Sequence, residues 1–198
     1  NGGHRGIRYN PLMLERHHDI SRLEGFSDAV FAIALALLVV SLETPKTMHE
    51  LEQFARGFLP FAMMFAMVCW IWYAHNTFFR RYGLQDGRTV MLNSFLLFVV
   101  LFYVYPLKFP TNNLLGPLFG VEDASHERIA DGRLVMLLYS GGIVLIFATL
   151  AALYGHAWRR RHDLELSPAD AVTLRFGLSG HLWTMGIGLT SIAIVSQG

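Results

Sequence analysis

Four long stretches of this chain contain no aspartate, glutamate, lysine or arginine, and they constrain its fold more than any other feature. A transmembrane helix needs about 20 mostly apolar residues to cross about 30 Å of hydrocarbon. Only 16% of the 198 residues are charged, whereas about 25% is usual in soluble domains. The chain is therefore predicted to be an all-α, polytopic membrane bundle, with uncharged stretches at 57–79, 89–107, 134–158 and 176–198.

A fifth apolar stretch, Ala29–Leu42, has only 14 uncharged residues. It reaches spanning length when it is extended back to Leu23, which brings Asp28 and Glu24 into the bilayer. A cleaved signal peptide is the alternative, but Asp28 stands at the head of the apolar core and no small-x-small cleavage site follows. We predict one transmembrane domain, residues 1–198, with spans at about 23–42, 57–79, 89–107, 134–158 and 176–198. No polar tail follows the last span, so we also expect a sixth helix that is missing at the C-terminus.

Charge and cysteine content exclude other classes of protein. The formal net charge of +1 excludes a strongly basic nucleic-acid binder, and the single cysteine, Cys69, is expected to be a small core residue. Eleven of the sixteen lysines and arginines fall on the N-terminal arm and on the loops after the second and fourth spans. By the positive-inside rule, the N-terminus is predicted to be cytoplasmic. The opposite side has seven acids against five bases, so either it concentrates cations or its loops are simply solvated.

Three polar residues on different spans come to nearly the same depth. At 1.5 Å per residue, Asp28, His75 and Asn93 each lie about 7–9 Å inward from the nearest arginine at the same membrane boundary. Ser27 and Trp72 fall in the same layer, and the donors there can satisfy the buried carboxylate. Ionisable groups inside membrane spans are costly and usually functional. The layer either locks three helices together or holds the first helix in position for gating, and these two interpretations are compatible.

The first span also has an apolar stripe along one side. Ile33, Leu37 and Val40 follow the 4-3 spacing of a single helix face. Asp28 lies five residues before Ile33, which places it about 140° from the stripe. The acid is therefore predicted to point into its own bundle. The stripe points elsewhere, either as an ordinary packing seam or as a functional surface.

The first span resembles that of a known family in its residue pattern. An Arg-x-x-x-Phe-Ser-Asp pattern begins at Arg22, and Phe-Ala-Ile follows it at residues 31–33. This is similar to the first helix of the endolysosomal potassium-channel family and its bacterial homologues. The likeness extends to three further residues on the second and third spans, Trp72, His75 and Asn93.

This resemblance implies a homotetramer of six-helix subunits in which four copies of the first helix line a potassium-permeable pore. It implies a hydrophobic constriction, acting as gate and selectivity filter, formed by Ile33, Leu37 and Val40. It also implies a network that orients the pore helix, formed by Arg22, Phe26, Ser27, Asp28, Trp72, His75 and Asn93. Many relatives have a hydroxyl residue about one turn beyond the constriction, where this chain has Ala36. We therefore expect weak selectivity for potassium over sodium.

The function predicted from the sequence is a weakly selective, potassium-permeable cation channel in a bacterial plasma membrane. Its expected partners are further copies of itself, the lipid bilayer and potassium ions, with no nucleic acid and no cofactor. A proton-linked secondary transporter is the alternative, because His156 and His181 join Asp28 and His75 as titratable groups near one membrane boundary.

Catalytic and metal sites are not expected. The sequence has no Ser-His-Asp arrangement with supporting context, no His-Glu-x-x-His and no glycine-rich phosphate loop. The run His17-His18-Asp19 gives no tetrahedral set of metal ligands, because adjacent side chains on a helix point about 100° apart.

Overall fold

Six α-helices occupy the residues that the computed structural model describes, which are 21–40, 45–104 and 132–197. They are α1 Arg22–Val40, α2 Met48–Arg56, α3 Phe58–Tyr82, α4 Gly87–Val104, α5 Gly132–Arg159 and α6 Pro168–Gln197. This helical architecture confirms the predicted all-α fold class. The run His17-His18-Asp19 and the C-terminal ends of the predicted first, third and fifth spans lie outside the described residues.

Short polar motifs set where the helices begin and end. At the start of α1, Ser21 and Glu24 form a capping box: the Ser21 amide donates to Glu24 Oε2 at 2.8 Å, and the Glu24 amide donates to Ser21 Oγ at 3.1 Å. Helix α3 ends at Gly83, whose φ of 56° is left-handed and whose amide donates to the Phe79 carbonyl. At the start of α6, the Asp170 amide donates to Ser167 Oγ at 3.1 Å. This cap places the start of α6 at Pro168, eight residues before the predicted span at 176.

Helix α2 lies in a segment for which no helix was predicted. It has nine residues and begins with a second capping box, in which the Glu50 amide donates to Thr47 Oγ1 at 3.2 Å. Glu50 Oε2 in turn accepts a hydrogen bond from the Lys46 amide at 2.6 Å, and this bond lowers the pKa of Glu50. The apolar side chains of Met48, Leu51 and Phe54 are exposed. Helix α2 is too short to cross a bilayer.

The five long helices pack around one apolar core. Helix α1 packs against α3 and α4, α4 packs against α5, and α5 packs against α6. The largest fully buried side chains include Phe31, Phe78, Phe79, Leu96, Leu150 and Leu153. Cys69 on α3 is half-buried. Helix α1 is therefore supported by two helices of its own chain.

Four of the long helices are apolar and long enough to cross a membrane: α1, α4, α5 and α6. Their mean hydropathies range from 1.4 to 2.1 over 18 residues of each helix. Helix α3 has 25 residues, which is sufficient length for a span, and no charged residue precedes Arg80 in it. Two of the polar side chains on α3, Trp72 and His75, bond α1 and α4, where the candidate site lies.

Candidate functional site

Helix α1 has two sharply different faces. One face is buried within the chain and includes Ser27, Val30, Phe31, Ala34 and Leu38, which are at most 9% exposed. The other face carries the predicted stripe, with Ile33 54% exposed, Leu37 51% and Val40 79%. The stripe is therefore not a packing seam against the described helices of its own chain. It is an apolar surface without a partner among the described residues of a single subunit.

A chain of hydrogen bonds joins α1, α4 and α3 in the core. Nδ2 of Asn93 on α4 donates to Oγ of Ser27 on α1 at 2.9 Å. Oδ1 of Asn93 lies 2.6 Å from Nε2 of His75 on α3, and Ser27 Oγ donates onward to the Leu23 carbonyl at 2.8 Å. All three side chains are at most 1% exposed. Asn93 thus joins α4 to α1 through its amide nitrogen and to α3 through its amide oxygen.

The direction of these bonds fixes which ring nitrogen of His75 donates to Asn93. The Asn93 oxygen can only accept, so Nε2 of His75 carries the hydrogen and donates it. The ring is held between Phe31 and Phe79, at centroid distances of 5.4 and 4.6 Å. Its other nitrogen, Nδ1, is buried and has no hydrogen-bond partner within the described part of the chain. His75 is therefore a rigid donor between two aromatic rings.

Asp28 is satisfied separately, at the edge of this layer. The indole Nε1 of Trp72 donates to Asp28 Oδ1 at 2.8 Å. Trp72 and His75 are three residues apart on α3, so the bond from Trp72 to α1 and the bond from His75 to α4 lie about one helical turn from each other. Four side chains in this layer could donate to Asp28: Ser27, Trp72, His75 and Asn93. In the structure, Trp72 contacts Asp28. Ser27, His75 and Asn93 instead form the hydrogen-bonded chain centred on Asn93.

Arg22 and Phe26 lie apart from this network in the single subunit. Both are exposed, and Phe26 is 58% exposed. Phe26 precedes Ile33 by seven residues, so it lies about 20° from the azimuth of the apolar stripe. The seven-residue spacing from Ile33 could therefore have predicted from the sequence that Phe26 lies on the exposed face of α1.

The structure also contains a cluster that sequence reasoning missed, centred on Asp86 at the start of α4. The Asp86 carboxylate is 2.9 Å from Nε2 of His156 on α5 and 3.7 Å from Nη1 of Arg160, and the Thr89 hydroxyl donates to it. Burial disfavours the ionised carboxylate, but the bonds from Thr89 and His156 outweigh burial and lower the pKa of Asp86. The Asp-x-x-Thr pattern at 86–89 signalled a helix start. Nothing in the sequence signalled the contact with α5.

Replacing Asp86 with asparagine is expected to lower the free energy of unfolding by about 1 kcal/mol, and replacing it with alanine by about 2 kcal/mol, because alanine also removes the helix cap. The folded-state pKa of Asp86 is below its ordinary value of 3.8, so the charge stabilises the fold above that pH. This stabilisation is lost as the pH falls through the folded-state pKa. Denaturation of each variant at neutral and acidic pH measures both effects.

The control for these variants is Asp163→Asn, which removes an exposed carboxylate that also contacts Arg160, at 3.1 Å. Because exposed ion pairs contribute little, this variant should unfold like the wild type. Equal stability of Asp86→Asn and the wild type at neutral pH would contradict a stabilising role for the Asp86 charge.

The histidines that suggested proton coupling are separate from one another. His75 bonds Asn93, His156 bonds Asp86, and His181 packs against Tyr154 at a centroid distance of 4.8 Å. Among residues 21–40, 45–104 and 132–197, no three histidine, cysteine, aspartate or glutamate side chains are grouped so that they could hold a metal ion.

Comparison with protein families gives a match over residues 22–103 to the model described as "Endosomal/lysosomal potassium channel TMEM175". This stretch runs from α1 through α4 and contains every residue of the predicted constriction and network. The match therefore falls on the part of the chain that forms the candidate site.

Curated proteins similar to this chain carry related names. A protein named "Potassium channel" from Marivirga tractuosa is 36% identical in an alignment of 196 residues that covers 95% of this chain and 79% of that protein. A potassium channel from Streptomyces collinus is 26% identical over 88% of this chain and 84% of that protein.

Two solved structures are similar in fold as well. One is a variant of the potassium channel MtTMEM175 crystallised with a nanobody–MBP fusion protein, with a TM-score of 0.80 and 36% identity over 91% of this chain and 81% of that one. The other is a lysosomal potassium-selective channel TMEM175 homologue from Chamaesiphon minutus, with a TM-score of 0.58 and 25% identity over 89% of each chain.

Proposed function

This chain belongs to the endosomal/lysosomal potassium channel TMEM175 family, and we propose that four copies of it form a weakly selective, potassium-permeable channel lined by α1. Membership confirms the family resemblance and the expectation that the chain is not an enzyme. The single observation that carries the proposal is the exposed apolar face of α1, opposite the face that is hydrogen-bonded to α3 and α4.

The composition of the exposed face favours close contact between copies of α1. Ala29, Ala32 and Ala36 are exposed alongside the larger side chains of Ile33 and Leu37. Small residues let membrane helices approach one another closely. Around a fourfold axis, the alanines leave room for neighbouring helices while the larger side chains project towards the axis.

The larger side chains of this face form the proposed constriction. Ile33, Leu37 and Val40 rise along α1 by about one turn at a time, so four subunits contribute three stacked apolar rings. A narrow apolar ring passes ions only when it is wide enough to hold water. These rings serve as gate and filter in the proposal. Their lack of oxygen ligands, together with Ala36 in place of a hydroxyl residue, accounts for weak selectivity.

The polar residues orient the pore helix in this proposal. Asn93 and Trp72 fix the rotation of α1 by bonding Ser27 and Asp28, so that the apolar face turns away from its own bundle. Arg22 and Phe26 lie at the N-terminal end of the exposed face. In the tetramer, they face the mouth of the pore and the adjacent subunit.

The chain is a multi-pass membrane protein, with four helices that meet the length and hydropathy needed for a span. The distribution of arginines supports a cytoplasmic N-terminus, and the relatives from Marivirga tractuosa and Streptomyces collinus favour a bacterial plasma membrane. No observation on the described histidines favours the proton-linked transporter, since His75, His156 and His181 bond different partners.

Potassium efflux from liposomes tests the proposed function. The full chain is reconstituted into vesicles loaded with potassium, and its subunit number is measured by mass photometry of the same preparation. We expect four subunits and a passive potassium efflux that protein-free vesicles lack. A folded preparation that carries a substrate with protons but releases no potassium would contradict the channel and favour the transporter.

A further inference from the structure

A cleft of about 610 Å³ opens between the start of α4 and the end of α5, away from the apolar face of α1. Its described lining contains three arginines, one histidine, one aspartate and one glycine: Arg88, Arg159, Arg160, His156, Asp86 and Gly87. No step in the proposed permeation path uses these residues. The cleft is therefore a feature that the channel function leaves unexplained.

The charges of the cleft do not balance. With His156 neutral, three arginines and one carboxylate leave a net charge of +2. Asp86 is already engaged by Thr89, His156 and Arg160, and Arg160 also bonds Asp163 at 3.1 Å. Within the described residues, Arg88 and Arg159 form no ion pair with a carboxylate, and both are exposed. Two guanidinium groups thus line the cleft without a carboxylate partner among the residues that the structure describes.

We propose that this cleft binds the phosphate group of an anion, held between Arg88 and Arg159. A guanidinium presents a planar fork of donors that matches two phosphate oxygens at once. The Asp86 carboxylate does not repel such a group strongly, because it is held by His156 and Arg160 on the α5 side. A bound phosphate would join the first turn of α4 to the last turn of α5.

The position of the cleft favours a phospholipid headgroup as the source of that phosphate. It lies where one apolar span begins and another ends. Trp158 lies in the last turn of α5. The Cζ atoms of Arg161 and Arg175 lie 4.8 and 5.6 Å from the centroid of its ring. Such a combination of aromatic and basic side chains is typical of a membrane interface. Basic pockets between transmembrane helices on the cytoplasmic side bind anionic headgroups.

The test measures lipid binding and is independent of ion flux. The full chain, purified and delipidated, is titrated with phosphatidylglycerol or phosphatidylcholine and examined by native mass spectrometry. In Arg88→Gln/Arg159→Gln, we expect the affinity for phosphatidylglycerol to fall about fivefold for each arginine removed. The matched control Arg80→Gln/Arg81→Gln removes the same charge from exposed residues at the same membrane end, outside the cleft, and should bind like the wild type.

If the variant with two glutamines misfolds, Arg88→Lys/Arg159→Lys replaces it. This variant keeps both positive charges and tests whether the planar fork of the guanidinium groups is needed for binding.

Competition with inorganic phosphate separates the two sources. If phosphate does not displace phosphatidylglycerol, the cleft binds a lipid headgroup as proposed. If inorganic phosphate displaces the lipid and binds by itself, the cleft is a phosphate site whose ligand is a soluble anion, and the lipid headgroup is excluded as the source. Unchanged lipid affinity in both cleft variants, or an equal loss in the control pair, would overturn the site.

Discussion

Replacing Asn93 with leucine is expected to lower the free energy of unfolding by about 2 kcal/mol and to disrupt the packing of α1. The substitution roughly keeps the volume of the side chain but removes its hydrogen bonds to Ser27 and His75. The polar side chains of Ser27 and His75 stay buried and lose a partner. An interhelical hydrogen bond in a membrane protein contributes about 0.6–1.7 kcal/mol, and two are lost. Chemical unfolding of the purified protein in detergent, together with its potassium efflux in liposomes, measures the effect.

The neighbouring substitution Ser94→Ala is the control, because Ser94 is exposed in the single subunit. It should leave stability unchanged. A double-mutant cycle sharpens the test: once Asn93 is leucine, Ser27→Ala should cost less than it costs in the wild type, since their bond is already lost. Full additivity of the two substitutions would show that Asn93 and Ser27 are not coupled.

Replacing Ile33 with alanine is expected to raise potassium flux about tenfold, which corresponds to a permeation barrier lower by about 1.4 kcal/mol. Ile33 projects from the exposed face of α1 and is 54% exposed in the single subunit. Shortening it to a methyl group widens the proposed ring and lets it hold water. The permeability ratio of potassium to sodium should fall towards one. Single-channel recording gives conductance and selectivity together.

The matched control is Ile187→Ala on α6, where the same side chain is 69% exposed. It lies outside the proposed pore and should leave conductance and selectivity unchanged. If Ile187→Ala and Ile33→Ala have the same effect, or if Ile33→Ala has none, the assignment of Ile33 to a constriction fails.

The two faces of α1 could be predicted because helical periodicity is a local property. The spacing of Ile33, Leu37 and Val40 and the offset of Asp28 place the stripe and the acid on different sides, and the structure has them so. The same rule applied to Phe26 predicts the exposed face. The resemblance places Phe26 in the network that orients the pore helix, and this role stays a prediction.

The pairing within the polar layer could not be predicted from depth. Depth along the membrane normal brings Ser27, Asp28, Trp72, His75 and Asn93 to one level, but it does not fix how α3 and α4 rotate about their axes. The observed rotation directs Trp72 to Asp28 and Asn93 to Ser27. Rotation depends on packing of the whole bundle, which no local pattern contains.

Contacts between residues far apart in the sequence, outside the polar layer, could not be predicted either. Asp86 and His156 are 70 residues apart and meet only because α4 packs against α5. Helix α2 was missed for a different reason. The helix has only nine residues, most of them polar or charged, so it falls short of the length of a membrane span. Its Thr47–Glu50 capping box is a local sequence signal for a helix start.

The reversal potential of the wild-type channel between solutions of potassium and sodium tests the central claim most directly. The full chain is placed in a planar bilayer with potassium chloride on one side and sodium chloride on the other, at equal concentrations. A weakly selective potassium pore predicts a steady current whose reversal potential is displaced from zero in the direction that favours potassium, by a small amount. Absence of current from correctly folded protein, or a reversal potential displaced in the direction that favours sodium over potassium, would contradict the account.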